Sequence, residues 1–155
     1  MIRMSKLTDY AIVLLAHLAR SGRTLAAQEL AARSGVPLPT VSKLCKELAK
    51  AGLVVSHRGR HGGYGLARPA EGISVAEIVE ALEGPIALTE CSAGSGHCGI
   101  EHTCSVGRTW QRLSVAVRRS LSEITLAQLA GLDTRTPTMA IERELKYMGR
   151  VKAAS

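Results

Sequence analysis

A mainly α protein is predicted, with a helix-turn-helix, a β-hairpin wing and one long C-terminal helix. Three observations point to it. Apolar residues recur at helical spacing in several separate segments, and only one short stretch near residue 55 reads as paired strands. Hydrophobic residues make up 46% of the chain while aromatics are 3% and Phe is absent, so the core must be built from Leu, Val, Ile and Ala. Glycines punctuate the chain where short helices would end. At 155 residues the length suits one compact domain, or a small domain with an appendage.

The segment TDYAIVLLAHLAR (8–20) is the first helix, with Thr8 and Asp9 as candidate N-caps and Gly22 as its stop. LAAQELAARSG is the second, ending at Gly35. In TVSKLCKELAKAG, Val41, Leu44, Cys45 and Leu48 fall at i, i+3, i+4 and i+7, which puts them on one buried face. The opposite face carries Thr40, Ser42, Lys43, Lys46 and Lys50. Two short helices joined by a glycine turn at Ser34–Gly35 are what a helix-turn-helix requires. LVVSH then reads as a strand, RGRHGG as a basic turn and YGLAR as a returning strand. ISVAEIVEALEG (73–84) is a further amphipathic helix with Ile78, Val79 and Leu82 inward and Glu77, Glu80 and Glu83 outward. From 105 to 131 a long helix is expected, with Trp110, Leu113, Val117, Leu121 and Ile124 as a near-heptad stripe that suits dimerisation.

The expected organisation is therefore a winged helix-turn-helix DNA-binding domain (1–84), a cysteine-containing segment (85–104), a dimerisation helix (105–131) and a polar, partly disordered tail (132–155). No run of about 18 apolar residues exists, which excludes a transmembrane helix. The apolar N-terminal run is broken by His17 and Arg20 and reads as a folded helix and not a signal peptide. A cytoplasmic protein with reduced thiols is the expectation.

Charge separates the two halves. Residues 1–70 hold 11 Lys/Arg against 3 Asp/Glu, and residues 71–155 hold 9 against 10. A basic half attracts phosphates and releases their counterions, so double-stranded DNA is the expected partner, with neither a membrane nor a small-molecule substrate. Pro39, Thr40, Ser42 and Lys43 open the recognition helix and are candidates for base edges, and Lys46 for a phosphate. Arg58, Arg60 and His61 at the wing are candidates for phosphates or an adjacent minor groove. A dimer would match two recognition helices to a palindromic operator.

Three of the four cysteines, Cys91, Cys98 and Cys104, lie in ECSAGSGHCGIEHTCSVGRTW as C-x6-C-x5-C. This is neither the C-x2-C knuckle of zinc ribbons nor a thioredoxin-like C-x-x-C. Wide spacers with Gly94, Gly96 and Gly99 suit an iron–sulfur cluster, leaving one coordination site to fill. A zinc site completed by His97 or His102, or a redox-sensing disulfide pair, are the alternatives. Cys45 falls on the inward face of the recognition helix and reads as a buried apolar residue. No ordered Cys/His/Asp triad supports an enzyme.

With these features in order, residues 1 to about 132 resemble the Rrf2 family of bacterial transcription regulators, which includes iron–sulfur and nitric-oxide sensors. The start MIRMSKLTDYAIVLLAHLA and the wing G-G-Y-x-L-A-R are most similar to members that control SUF iron–sulfur assembly genes. The resemblance implies a homodimer with one cluster per subunit, held by Cys91, Cys98 and Cys104. IscR-like members use a His three residues after the last cysteine, where this chain has Gly107. NsrR-like members use an Asp reaching across the dimer, and Asp9 stands at the matching place. The implied fourth ligand is thus Asp9 of the partner subunit, then His102, then Glu101 or His97. A 2Fe-2S cluster follows from the IscR-like features and 4Fe-4S from the NsrR-like Asp, with 2Fe-2S preferred.

Overall fold

The computed structural model describes residues 4–59, 62–93 and 104–133, apart from the side chains of Cys91 and Ala93. Helices α1 (Lys6–Ser21), α2 (Ala27–Ser34) and α3 (Leu38–Lys50) are followed by strands β1 (Val54–His57) and β2 (Gly63–Leu66). A 3-10 turn at Ala70–Gly72 leads to α4 (Val75–Glu83), α5 (Glu90–Ala93), α6 (Gly107–Ser122) and α7 (Leu126–Leu129). Helix-turn-helix and wing are both present, and among the described residues no helix is long and apolar enough to cross a membrane.

Helix α1 starts before the residues expected to cap it. Ser5 is the N-cap, its Oγ accepting from the Thr8 amide at 3.2 Å, so Thr8 and Asp9 lie inside the first turn. The reason is long-range. Thr8 is fully buried and donates its hydroxyl to the Glu83 carboxylate at 2.6 Å, which removes it from capping duty.

The core is aliphatic. Leu14, Leu15 and Leu18 of α1 meet Leu30 of α2, the stripe Val41, Leu44, Cys45 and Leu48 of α3, and Ile78 of α4. Each fully buried Leu or Ile contributes about 2 kcal/mol relative to exposure. Gly35, at φ 71°, closes α2 and turns the chain into α3. The wing pairs antiparallel from Val54 opposite Leu66 to His57 opposite Gly63. Leu25, just before α2, adds a rung: its amide donates to the Tyr64 carbonyl at 2.9 Å and its carbonyl accepts from the Tyr64 amide at 2.8 Å. The backbones approach so closely that a Cβ on Gly63 would overlap the Leu25 carbonyl. A glycine there is a steric requirement.

The expected helix 105–131 is broken. Thr125 caps α7 with a capping box: its Oγ1 accepts from the Gln128 amide at 3.3 Å, and Gln128 Oε1 accepts from the Thr125 amide at 2.9 Å. On either side, the Val75 amide donates to the Ile124 carbonyl at 2.9 Å and the Leu126 amide to the Ile73 carbonyl at 2.8 Å. Leu126 and Ala127 thereby join the same core cluster as α1, α3 and α4. The predicted stripe is divided by this break. Trp110 and Leu113 remain 40% and 44% exposed, Val117 and Leu121 are half-buried, and Ile124 sits in the connection. The tail beyond Asp133 lies outside the described residues.

Candidate nucleic-acid interface and cysteine segment

Ion pairing decides which cations are free to meet DNA. Glu29 takes both Arg23, at 2.6 Å, and Arg33, at 2.8 Å. The Arg23 hydrogen bond is the main cause holding the Glu29 carboxyl below its ordinary value. Lys50 pairs with Glu47 at 3.0 Å, Arg68 pairs with Glu77, and Arg20 Nε donates to the Ala130 carbonyl at 2.9 Å. Among the described residues, Lys43 and Lys46 on α3 and Arg58 at the wing have no carboxylate partner. Unpaired positive charge therefore remains on the recognition helix and the wing, and also on α1, where Lys6 sits over the Tyr10 ring and Arg20 meets only a backbone carbonyl.

Helix α3 enters through Pro37, with no side-chain cap and no acidic residue in its first turn. Pro39, at the second helical position, has no amide to leave unpaired. Pro39, Lys43 and Lys46 are exposed, while Thr40 and Ser42 are half-buried. All five lie on α3, with Thr40 and Ser42 less exposed than the expectation for base-edge contacts. Arg58 is exposed immediately after β1, whereas Arg60 and His61 lie outside the described residues.

The cysteine segment is not all loop. Cys91 belongs to α5, a four-residue helix packed on α6, and Cys104 is half-buried just ahead of α6. The Leu88 amide donates to the buried Ser114 Oγ at 3.0 Å, which ties the approach to α5 onto the middle of α6. Arg118 grips Glu80 with two hydrogen bonds, of 2.6 and 3.2 Å, tying α6 to α4. Thus Cys91 and Cys104 belong to, or directly precede, elements packed on one another. A Cβ on Gly107 would lie 3.7 Å from Cys104 Sγ. The glycine leaves that side of the thiol open, and no side chain at 107 can supply the ligand of IscR-like members. A half-exposed Cys104 thiol ahead of α6, the helix on which the Cys91-bearing α5 packs, fits thiolate ligation of a cluster in this respect. Cys98, His97, Glu101 and His102 lie outside the described residues.

Asp9 is exposed in the first turn of α1, beside an open hollow also lined by Met4, Ser5 and Lys6. Among the described residues its carboxylate makes no hydrogen bond or ion pair. Cys45 differs in kind: it is fully buried among the α3 stripe, and burial pushes its thiol up to about 11. It is a core residue. Sequence inspection missed the Glu83 clamp, the Leu25 rung and α5. Only the rung had a local signal, the Gly62–Gly63 pair in the wing.

Comparison with known proteins places this geometry. The profile of the Rrf2 family, described as an iron-dependent transcriptional regulator, matches residues 4–131. The HTH-type transcriptional regulator IscR of Cereibacter sphaeroides is 37% identical over 134 residues, covering 83% of this chain and 86% of that protein. The HTH-type transcriptional regulator NsrR of Oceanobacillus iheyensis is 35% identical over 131 residues, covering 83% and 89%. Among solved structures, CymR, the global cysteine regulator of B. subtilis, aligns with a TM-score of 0.67 at 27% identity, covering 86% of this chain and 99% of that one.

Proposed function

The chain belongs to the Rrf2 family of DNA-binding transcriptional regulators, and on that premise we propose that it is an iron–sulfur-sensing regulator. In this reading a homodimer binds a palindromic operator and controls genes of iron–sulfur cluster assembly. Cys91, Cys98 and Cys104 hold the cluster, 2Fe-2S in preference to 4Fe-4S, and Asp9 of the partner subunit is the first choice for the fourth ligand, ahead of His102. Pro39, Thr40, Ser42 and Lys43 face base edges, Lys46 a phosphate, and Arg58 the minor groove, with Arg60 and His61 near phosphates.

One observation carries the reading. Cys104 precedes the same α6 against which α5, with Cys91, is packed. That helix is joined to the DNA-binding half through Arg118 and Glu80. A cluster bound there supplies sensitivity to oxidants, nitric oxide and iron supply that the side chains alone lack. The chain's own residues do the rest. Helix α4 packs on α1, α3 and α6, so the orientation of α6 bears on the recognition helix through one intermediate element. Ordering of the segment 91–104 changes operator affinity only as far as the ordered and loose states differ in that orientation.

Anaerobic purification tests it. A brown protein with visible absorption and acid-labile sulfide is expected, and iron and sulfide stoichiometry distinguishes the two cluster types. Colourless, zinc-loaded protein would replace the cluster with a structural zinc site. Asp9→Ala should shorten the lifetime of the cluster without preventing its assembly; an unchanged lifetime removes Asp9 from the ligand set.

A further inference from the structure

We propose that Leu38 and Pro39, the apolar tip of the recognition helix, read the C5-methyl groups of thymine in the operator. The proposal rests on the DNA-binding reading above and adds the feature of the base that is recognised. Leu38 is 39% exposed and stands outside the core cluster, although Leu44 and Leu48 of the same helix are fully buried in it. Pro37 and Pro39 on either side are exposed as well. Three consecutive residues without a polar side-chain atom therefore face solvent at the start of α3. At 100° per residue, Pro39 points directly away from the stripe Val41, Leu44, Cys45 and Leu48, in line with Lys43 and Lys46, and Leu38, the first residue of the helix, lies at the margin of the stripe between Cys45 and Ser42, where it is left exposed.

This tip offers only apolar contact. Neither side chain donates or accepts a hydrogen bond, and Pro39 lacks an amide. Pressed against the acceptors of guanine, the amino group of cytosine or the amino group of adenine, it would desolvate a polar group without replacing its hydrogen bond. Thymine alone among the four bases presents a methyl group on the major-groove edge. The start of a recognition helix is also the part that reaches base edges. The unpaired Lys43 and Lys46 on the same face identify the occupant as DNA and not an apolar protein surface, since a protein interface core is depleted in such charges.

The test uses the full-length protein, purified both anaerobically and in air, to select an operator from random duplex DNA. Each thymine of one half-site is then replaced singly by uracil, which removes only the methyl group. Binding should weaken about fourfold at each contacted thymine, the factor expected for one buried methyl, and stay unchanged elsewhere. Leu38→Ala and Pro39→Ala should each lose most of that discrimination at one position while keeping the affinity for non-specific DNA and its salt dependence. Selection of an operator with no uracil effect at any position would overturn the proposal and leave the DNA-binding reading intact. So would full discrimination retained by both variants. Failure to enrich any sequence in either preparation would overturn the regulator reading itself, and the thymine contact with it.

Discussion

Thr8 donates a 2.6 Å hydrogen bond to the carboxylate of Glu83, joining the first turn of α1 to the last residue of α4. The same oxygen accepts from the Ser5 amide at 2.7 Å. These bonds, that from Thr8 foremost, hold the Glu83 carboxyl below its ordinary value of 4.5. A carboxyl lowered in the folded state stabilises the fold above its unfolded value, and that contribution is lost as the pH falls through the folded one. Glu83→Gln should therefore flatten the decline of Tm between pH 5 and pH 3 (roughly the range of an ordinary carboxylate). Parallel Tm profiles for both proteins would show that the clamp adds nothing. At neutral pH, Glu83→Ala leaves the buried Thr8 hydroxyl with only Ser5 Oγ for company and should cost about 1–2 kcal/mol in urea unfolding.

Gly63→Ala forces a Cβ into the Leu25 carbonyl. The expected loss is about 1–3 kcal/mol of stability, with faster hydrogen exchange at the Leu25 and Tyr64 amides and weaker operator binding. Protected amides in the variant would show that the backbone yields without releasing the rung.

Lys46→Ala should weaken binding to every DNA sequence alike and lower the slope of log affinity against log salt by about one unit, as loss of a phosphate contact does. A defect confined to one base pair would reassign Lys46 to base reading.

Leu113→Asp places a charge on a side chain that is 44% exposed within one chain. Folding of the single chain should be spared, so circular dichroism should stay the same. Sedimentation equilibrium should show monomers where the parent protein forms dimers, because an unpaired charge at an apolar interface is costly. A dimeric variant would place the interface elsewhere than on this face of α6.

Cys45 should resist alkylation in the native protein at pH 8, since its thiol is buried and its ionisation is pushed up to about 11. Peptide mapping after iodoacetamide should find it labelled only in denaturant. Rapid native labelling would mean that α3 opens on the timescale of the reaction.

The elements most legible in the sequence are those specified locally. The stripe Val41, Leu44, Cys45 and Leu48 announces both the helix and its buried face, and the paired glycines announce the wing. The start of α1 was illegible because Ser5, Thr8 and Asp9 can all cap a helix, and the choice is made by Glu83 at the far end of α4. The break before α7 was hidden because apolar spacing runs on through Ile124, Leu126 and Ala127, although T-L-A-Q carries a capping-box signal. In the candidate site, the wing and recognition helix could be read directly. The pairing of Arg23 and Arg33 with Glu29 could not, since it depends on how the turn before α2 brings Arg23 back onto that helix. The fourth ligand is the hardest to read from sequence, because the favoured carboxylate belongs to another chain.

The backbone bonds that seat Ile124 and Leu126 against Val75 and Ile73 pin α6 at its C-terminal end. Its 16 residues span about 24 Å, with Cys104 just beyond the other end. With the Arg118–Glu80 pair holding the same end to α4, the helix is a lever: a tilt of about 5° there carries the cysteine end, and the α5 approach tied to Ser114, by up to about 2 Å. Trp110 and Leu113 lie along the outer half of that arm, so the same tilt is magnified along its exposed apolar face.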